Sequence, residues 1–363
     1  MQSAHLSSAR TVCGQLIVAG FEGATLPTAL ARALGSGERA GVILFARNLT
    51  PDVLAVAALN ASVAAASHAE LPPLVAIDQE GGRVARLGPP ALVVPPMRVL
   101  AETGDAARAE RVARAVAREL AALGFTMNFA PVLDVNNCAT NPVIGDRAFG
   151  SDAATVVRFG EAYVRGLQSG GVLACGKHFP GHGDTTMDSH FDLPVVDVPR
   201  ARLDEVELPP FAAAARAGVA ALMTAHVVYP ALDRERPATL SPAICTTLVR
   251  ETLGFAGVLF SDDLEMKAIS DRYGLEDAAV RSIAAGCDVL LVCKDEGAQV
   301  LAYEALVREA EKSAAFRARC VEASTRSVAM RKRVPPTPCG TRSELEAIVG
   351  GPASRAIAAE LAS

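Results

Sequence analysis

A chain of 363 residues, half of them hydrophobic, can bury a large core, and one barrel-sized domain accounts for the whole length. The formal charge of −5, without any basic run, argues against nucleic acid or an anionic membrane surface as partner. No apolar run reaches membrane-spanning length and the first ten residues hold no signal-peptide core, so a cytoplasmic address is expected.

In chain order, eight short apolar runs read as strands: 14–18, 41–45, 74–77, 126–133, 171–175, 220–224, 257–260 and 289–292. Longer Ala/Arg/Glu/Leu segments separate them, with amphipathic helices expected over 106–123, 152–169 and 208–217. Strand-then-helix repeated eight times, with continuous apolar strands, is the pattern of a (β/α)₈ TIM barrel. A doubly wound sheet is the weaker alternative, because Val18-Ala19-Gly20-Phe21-Glu22-Gly23 does not open a helix as a phosphate-binding turn would. The barrel is expected over residues 1–334, and the stretch 335–363 reads as a proline-containing linker with terminal helices packing on it. The eight cysteines form no C-x-x-C and several lie in apolar runs, as buried reduced thiols would.

The exits of these strands carry the polar residues: Asp78, Asp134, Lys177 with His178, His226, and Asp262 with Asp263. One such residue is readily a helix cap. Five exits with ionisable groups are better explained by one shared pocket, since barrel strand ends converge on one face.

The densest stretch runs from Gly176 to His190, with Lys177, His178, His182, Asp184, Asp188 and His190. His178 and His182 have zinc-helix spacing, but Pro180-Gly181 between them forbids the helix, which leaves a polar loop at a strand end. Lys177 is one of five lysines against thirty arginines, so a compact ammonium is wanted there. Asp188 and His190 stand at i and i+2, which in an extended segment lets the carboxylate orient the imidazole as a general acid and base. A plain loop salt bridge is the competing reading. Asp78, with Arg83 and Arg86 beyond two glycines, can take two hydrogen bonds from vicinal hydroxyls. Arg147 either reaches the pocket or pairs with Asp146. Of Asp262 and Asp263, one can attack an electrophilic carbon and the other cap the next helix, and the residues alone do not choose.

The run Lys177-His178-Phe179-Pro180-Gly181-His182-Gly183-Asp184-Thr185, continuing to Asp188-Ser189-His190, resembles the hallmark of the β-N-acetylglucosaminidases of glycoside hydrolase family 3. Ile77 to Val84, Gly145-Asp146-Arg147 and Phe260-Ser261-Asp262-Asp263-Leu264 match that family in order and spacing, and the likeness runs from about Gly14 to the terminal helices. The resemblance implies a single barrel and retaining release of terminal β-linked N-acetylglucosamine. It implies Asp262 as nucleophile, His190 as acid/base and Asp188 as its partner. Sugar contacts carry over to Asp78, Arg86, Arg147, Lys177 and His178. Members similar to this chain act in bacterial cell-wall recycling on N-acetylglucosaminyl-1,6-anhydro-N-acetylmuramic acid and its peptides, which implies a small glycan as partner, a monomer, and no metal or organic cofactor. Three rivals stand beside this reading. They are a phosphorylase on the same fold, a metal-dependent hydrolase with His178, His182, Asp188 and His190 as ligands, and a sugar-binding protein on a retired barrel.

Overall fold

The structure, a computed structural model, describes residues 8–185 and 193–362. Its strands are β1 (Ile17–Ala19), β2 (Gly41–Leu44), β3 (Leu74–Ile77), β4 (Met127–Asn128), β5 (Leu173–Phe179), β6 (Ala221–Thr224), β7 (Val228–Tyr229), β8 (Asp233–Pro237), β9 (Val258–Asp263) and β10 (Val289–Val292). All but β7 and β8 close into one barrel, ordered β1-β2-β3-β4-β5-β6-β9-β10 and back to β1. Every pairing in the ring is parallel, so a (β/α)₈ barrel is what the chain forms. β7 and β8 make a separate antiparallel hairpin between β6 and β9.

The strands read as unbroken apolar runs because both of their faces are buried. Val18, Ile43, Ala76, Met127, Cys175, Met223, Phe260 and Leu291 fill the barrel interior. Their neighbours Ile17, Val42, Leu44, Val75 and Ile77 face the surrounding helices in a second, larger core. Inside, Phe129 and Phe260 meet edge to face with ring centroids 5.4 Å apart.

The helices start where capping side chains allow. Asp105 accepts from the Arg108 N–H to begin Ala106–Ala122, and Asp152 accepts from Thr155 to begin Ala153–Ser169. Asp152 is thus a cap rather than a first helical residue. The segment expected over 208–217 is helical from Leu208 to Arg216, entered through a π-helical turn at Leu203–Glu207.

Several strand limits differ from expectation for local reasons. Gly14 ends a helix, Ala9–Gly14, whose last residue packs on the 37–38 backbone where a Cβ would lie 2.4 Å from the Gly37 carbonyl. The fourth strand shrinks to two ladder residues: the Ala130 N–H turns back to the Asn128 carbonyl (2.8 Å), and Pro131 has no N–H to donate. Beyond it, Leu133 N–H still donates to the Lys177 carbonyl at 2.6 Å. The fifth and seventh barrel strands are longer than their apolar cores, running out to Phe179 and Asp263. Polar residues at those ends hid the extension.

Residues 342–348 and 352–362 form two terminal helices. Buried Glu119 holds them, accepting from Gly350 N–H (2.8 Å) and the Ser354 hydroxyl while its other oxygen takes Leu92 N–H (2.7 Å). Arg342 pairs with Asp52 on the outer helix Val53–Ala66. Among the described residues no helix is long and apolar enough to cross a membrane. Six of the eight cysteines are buried and all eight are unbridged.

Candidate active site

At the C-terminal mouth of the barrel lies a cavity of about 360 Å³. Asp78, Arg86, Arg147, Lys177, His178 and Asp262, six of the residues singled out from the sequence, all line it. Arg83, His182 and Asp263 line it too, while Asp188 and His190, the expected acid/base pair, lie outside the described residues.

Lys177 and His178 are strand residues, not loop residues as expected. The β5–β6 register slips between Lys177 and Phe179, so two residues of β5 oppose one of β6. That slip lets adjacent side chains, which would otherwise alternate, both line the cavity. The loop proper begins at Pro180.

On one wall, Lys177 Nζ donates to Asp78 Oδ1 at 2.7 Å and lies 2.6 Å from Glu80 Oε1. Arg147 grips Glu80 with two parallel bonds, Nε to Oε2 and Nη2 to Oε1, each 2.8 Å. Arg147 therefore reaches the pocket, and Asp146 pairs instead with Arg83. Arg86 lies 3.5 Å from Asp78 Oδ2 and stacks over the Phe45 ring. Burial works against the Glu80 charge, but Arg147 and Lys177 outweigh it and hold the carboxyl well below the ordinary range. Burial likewise opposes the Lys177 ammonium, and Asp78 and Glu80 raise its pKa all the same.

On the adjoining wall, Asp134, wholly buried, accepts from His178 Nδ1 at 2.7 Å and from the backbone N–H groups of His178 and His182. A carboxylate can only accept, so the shared proton sits on His178 Nδ1. The His182 ring stands 5.9 Å from it at 74°, with Nδ1 bonded to the Thr185 hydroxyl at 2.9 Å. Burial, then His178, pushes the His182 pKa down to about 4, so it is neutral at pH 7. Asn141 braces this loop, donating to the His182 and Gly183 carbonyls and to Thr185. Among the described residues no three His, Cys, Asp or Glu side chains are grouped to hold a metal ion.

At the end of β9, Asp262 and Asp263 are chemically distinct. Burial opposes the Asp262 charge, yet His226, His178, the Asp263 N–H (2.8 Å) and Lys177 together keep its pKa below the ordinary value. Asp263 has the opposite balance: burial, then the charges of Glu265 and Asp262, raises it to about 7. Its Oδ1 accepts from Glu265 N–H (3.1 Å) and Cys293 N–H (3.2 Å), tying the β9 exit to the β10 exit. It does not cap the next helix: that helix starts at Lys267 with Met266 as its cap, three residues further on. An ionised carboxylate in a barrel mouth, beside one whose pKa is raised and a cation-lined wall, can serve as a nucleophile.

Glu80 was not singled out from the sequence, and Asp134 was given no role in the site. Glu80 stands two residues after Asp78, so a shared face was readable. Asp134 was recognised as an exit residue, but nothing in its own neighbourhood marks the contact with His178.

A closed parallel barrel with acid, base and cation groups converging at its C-terminal mouth is an enzyme architecture. The chain belongs to glycosyl hydrolase family 3, whose N-terminal domain model matches residues 10–329. It is 36% identical over 362 residues to β-hexosaminidase A of Pseudoalteromonas piscicida, covering 93% of this chain and 60% of that protein. The solved family 3 β-N-acetylglucosaminidase of Paenibacillus sp. str. FPU-7 superposes with a TM-score of 0.86 at 43% identity, over 89% of this chain and 62% of that one. NagZ of Neisseria gonorrhoeae superposes with a TM-score of 0.78 at 32% identity, over 96% of this chain and 98% of that one. The chain thus spans less than two thirds of the first two relatives and nearly all of the third.

Proposed function

We propose that the protein is a retaining exo-β-N-acetylglucosaminidase acting on small glycans, with 1,6-anhydro-N-acetylmuramyl fragments of the cell wall as its substrate class and the cytoplasm as its site of action. The observation that carries this reading is Asp262: a half-buried carboxylate kept ionised at the cavity wall, in a cavity also lined by cations suited to sugar hydroxyls. The names of relatives that span the barrel support the N-acetylated sugar.

In the proposed reaction Asp78, Arg86, Arg147, Lys177 and His178 hold the terminal sugar. The Asp262 carboxylate attacks the anomeric carbon as the bond to the leaving group breaks. His190, oriented by Asp188, gives its proton to the departing oxygen. In the second step His190 takes a proton from water, the water attacks the same carbon, and Asp262 leaves as carboxylate. Two inversions give net retention.

The test compares a chromogenic N-acetyl-β-D-glucosaminide with the corresponding glucoside. A pocket built to bond the acetamido group leaves buried partners unpaired with glucose, so kcat/KM should be far higher for the first. Equal values would overturn the sugar assignment. Running the assay with and without phosphate distinguishes hydrolysis from transfer to phosphate.

A further inference from the structure

Glu80 is 2% exposed, and its carboxylate oxygens are occupied by Lys177 and Arg147. Its backbone is fixed as well: its N–H donates to the Val84 carbonyl (2.9 Å) and its carbonyl accepts from the Tyr163 hydroxyl (3.2 Å). We propose that Glu80 is the positioning residue of the sugar pocket: it holds the Lys177 ammonium and the Arg147 guanidinium, charged and aimed, without bonding the sugar itself. The proposal rests on the reading of Lys177 and Arg147 as sugar contacts.

Donor counting supports it. Lys177 has three N–H bonds, of which Asp78 and Glu80 take two and leave one for a ligand. Arg147 has five, of which Glu80 takes two and the Val143 carbonyl one (3.1 Å). Asp78 is also near Arg86 and is itself a proposed sugar contact, so its bond to Lys177 competes with substrate. Glu80, with no such second task, is the constant counter-ion. The charges facing Lys177 are Asp78 and Glu80 after β3, Arg147 from the loop after β4, and Asp262 on β9. Cys175, two residues earlier on β5, faces it as a thiol that burial keeps protonated. Removing Glu80 leaves two cations close together with Asp78 as their nearest anion.

The test is Glu80→Gln, similar in shape but without the charge. Only five lysines are present, so Lys177 can be followed directly by NMR of [13Cε]-lysine protein. Its titration midpoint should fall by about 1–3 pH units in the variant, the scale for losing an opposite charge in contact. With the aryl N-acetylglucosaminide, KM should rise roughly 10-fold or more, one lost charge-assisted contact, and rise further as Lys177 deprotonates, with kcat changed less. An unmoved Lys177 midpoint, or a loss of activity independent of pH, would overturn the proposal. If Glu80→Gln does not fold, Glu80→Asp serves. Its shorter carboxylate cannot reach both cations, so the midpoint should fall by less but still fall, and an unmoved midpoint again counts against it. Should the midpoint move while the wild type hydrolyses no N-acetylglucosaminide, the failure belongs to the proposed activity and not to Glu80.

Discussion

Both ends of the barrel bury charge, but they use it differently. At the base, Asp288 is fully buried just before β10. Its Oδ1 accepts from Arg319 (2.7 Å) and Arg326 (2.5 Å), its Oδ2 from Arg250 (2.6 Å) and the Leu259 N–H (3.0 Å). Nearby, buried Arg331 has no carboxylate partner among the described residues and donates to the carbonyls of Ala40 and Pro72 and to Gln15. Burial lowers its pKa to about 9. These ions turn inward onto the chain and fasten strands to helices. At the mouth, Lys177 and Arg147 also meet carboxylates, but each keeps donors over and lines a cavity of about 360 Å³. A buried ion is therefore no sign of a site by itself. A buried ion with unused hydrogen bonds facing an opening is.

That contrast breaks most sharply at Asp262. Asp262→Asn should lower kcat/KM by roughly 10⁴–10⁶-fold, the scale seen when a nucleophile acting within a catalytic unit is removed, with the unfolding midpoint little changed. A slow fluorinated substrate should leave its adduct on Asp262 by mass spectrometry, and an adduct on Asp263 would reverse the assignment. His190→Ala should cost about 10²–10⁴-fold on substrates with poor leaving groups and less on activated aryl glycosides. Asp188→Ala should behave alike, and the double variant little worse than either. A flat response across leaving groups would remove His190 as the acid.

The base should give the reverse pattern. Asp288→Ala removes the carboxylate that three guanidinium groups share, leaving Arg319 and Arg326 with Glu322 and Arg250 with backbone carbonyls, and frees a buried N–H, which should cost about 3–5 kcal/mol of stability. Turnover per folded molecule should stay near wild type, because nothing in this cluster touches the mouth. Denaturant unfolding beside active-site titration separates the two quantities. A loss of turnover that exceeds the loss of folded protein would mean the two ends are coupled.

How much of this was legible beforehand follows from the range of each interaction. Strand-helix alternation is local, so the barrel was readable from its apolar runs, each of which overlaps a strand, with β2, β3, β6 and β10 nearly in place. The polar ends of β5 and β9 were not, because a strand can carry charge only where a mouth receives it, and that is a tertiary fact. Asp78, Lys177 and Asp262 could be picked out as strand-exit residues. The Glu80–Arg147 pair joins residues 67 apart in sequence, and the Asp134–His178 pair residues 44 apart. No spacing rule reaches that far. The hairpin β7–β8 was missed for another reason: Asp233-Arg234-Glu235-Arg236 is a solvent-facing polar run with no alternation to mark it. The Glu119 clasp on the tail was equally silent, since a lone Glu in a helix reads as surface.

The finest distinction lies between neighbours at the mouth itself. Asp263 has an unfolded pKa near 3.9 and a folded one of about 7. Between those values the folded carboxyl keeps a proton that the unfolded chain has released. Stability must therefore fall as pH rises through that window, and the loss is complete only above about 7. Glu80, Asp134 and Asp262 have depressed pKa values, so their contributions are present above their unfolded values and are lost on acidification, in a lower window. Asp263→Asn keeps an oxygen for the Glu265 and Cys293 N–H groups but cannot ionise. The difference in unfolding free energy, wild type minus variant, should decline from about pH 4 to about pH 7 and then level off. Denaturant titrations at half-unit steps across that range measure it. The variant should also retain measurable turnover, unlike Asp262→Asn, because Asp263 ties two strand exits together and is not the proposed nucleophile. Parallel stability curves for the two proteins would mean that Asp263 is ionised throughout, and the asymmetry between the two aspartates would be lost.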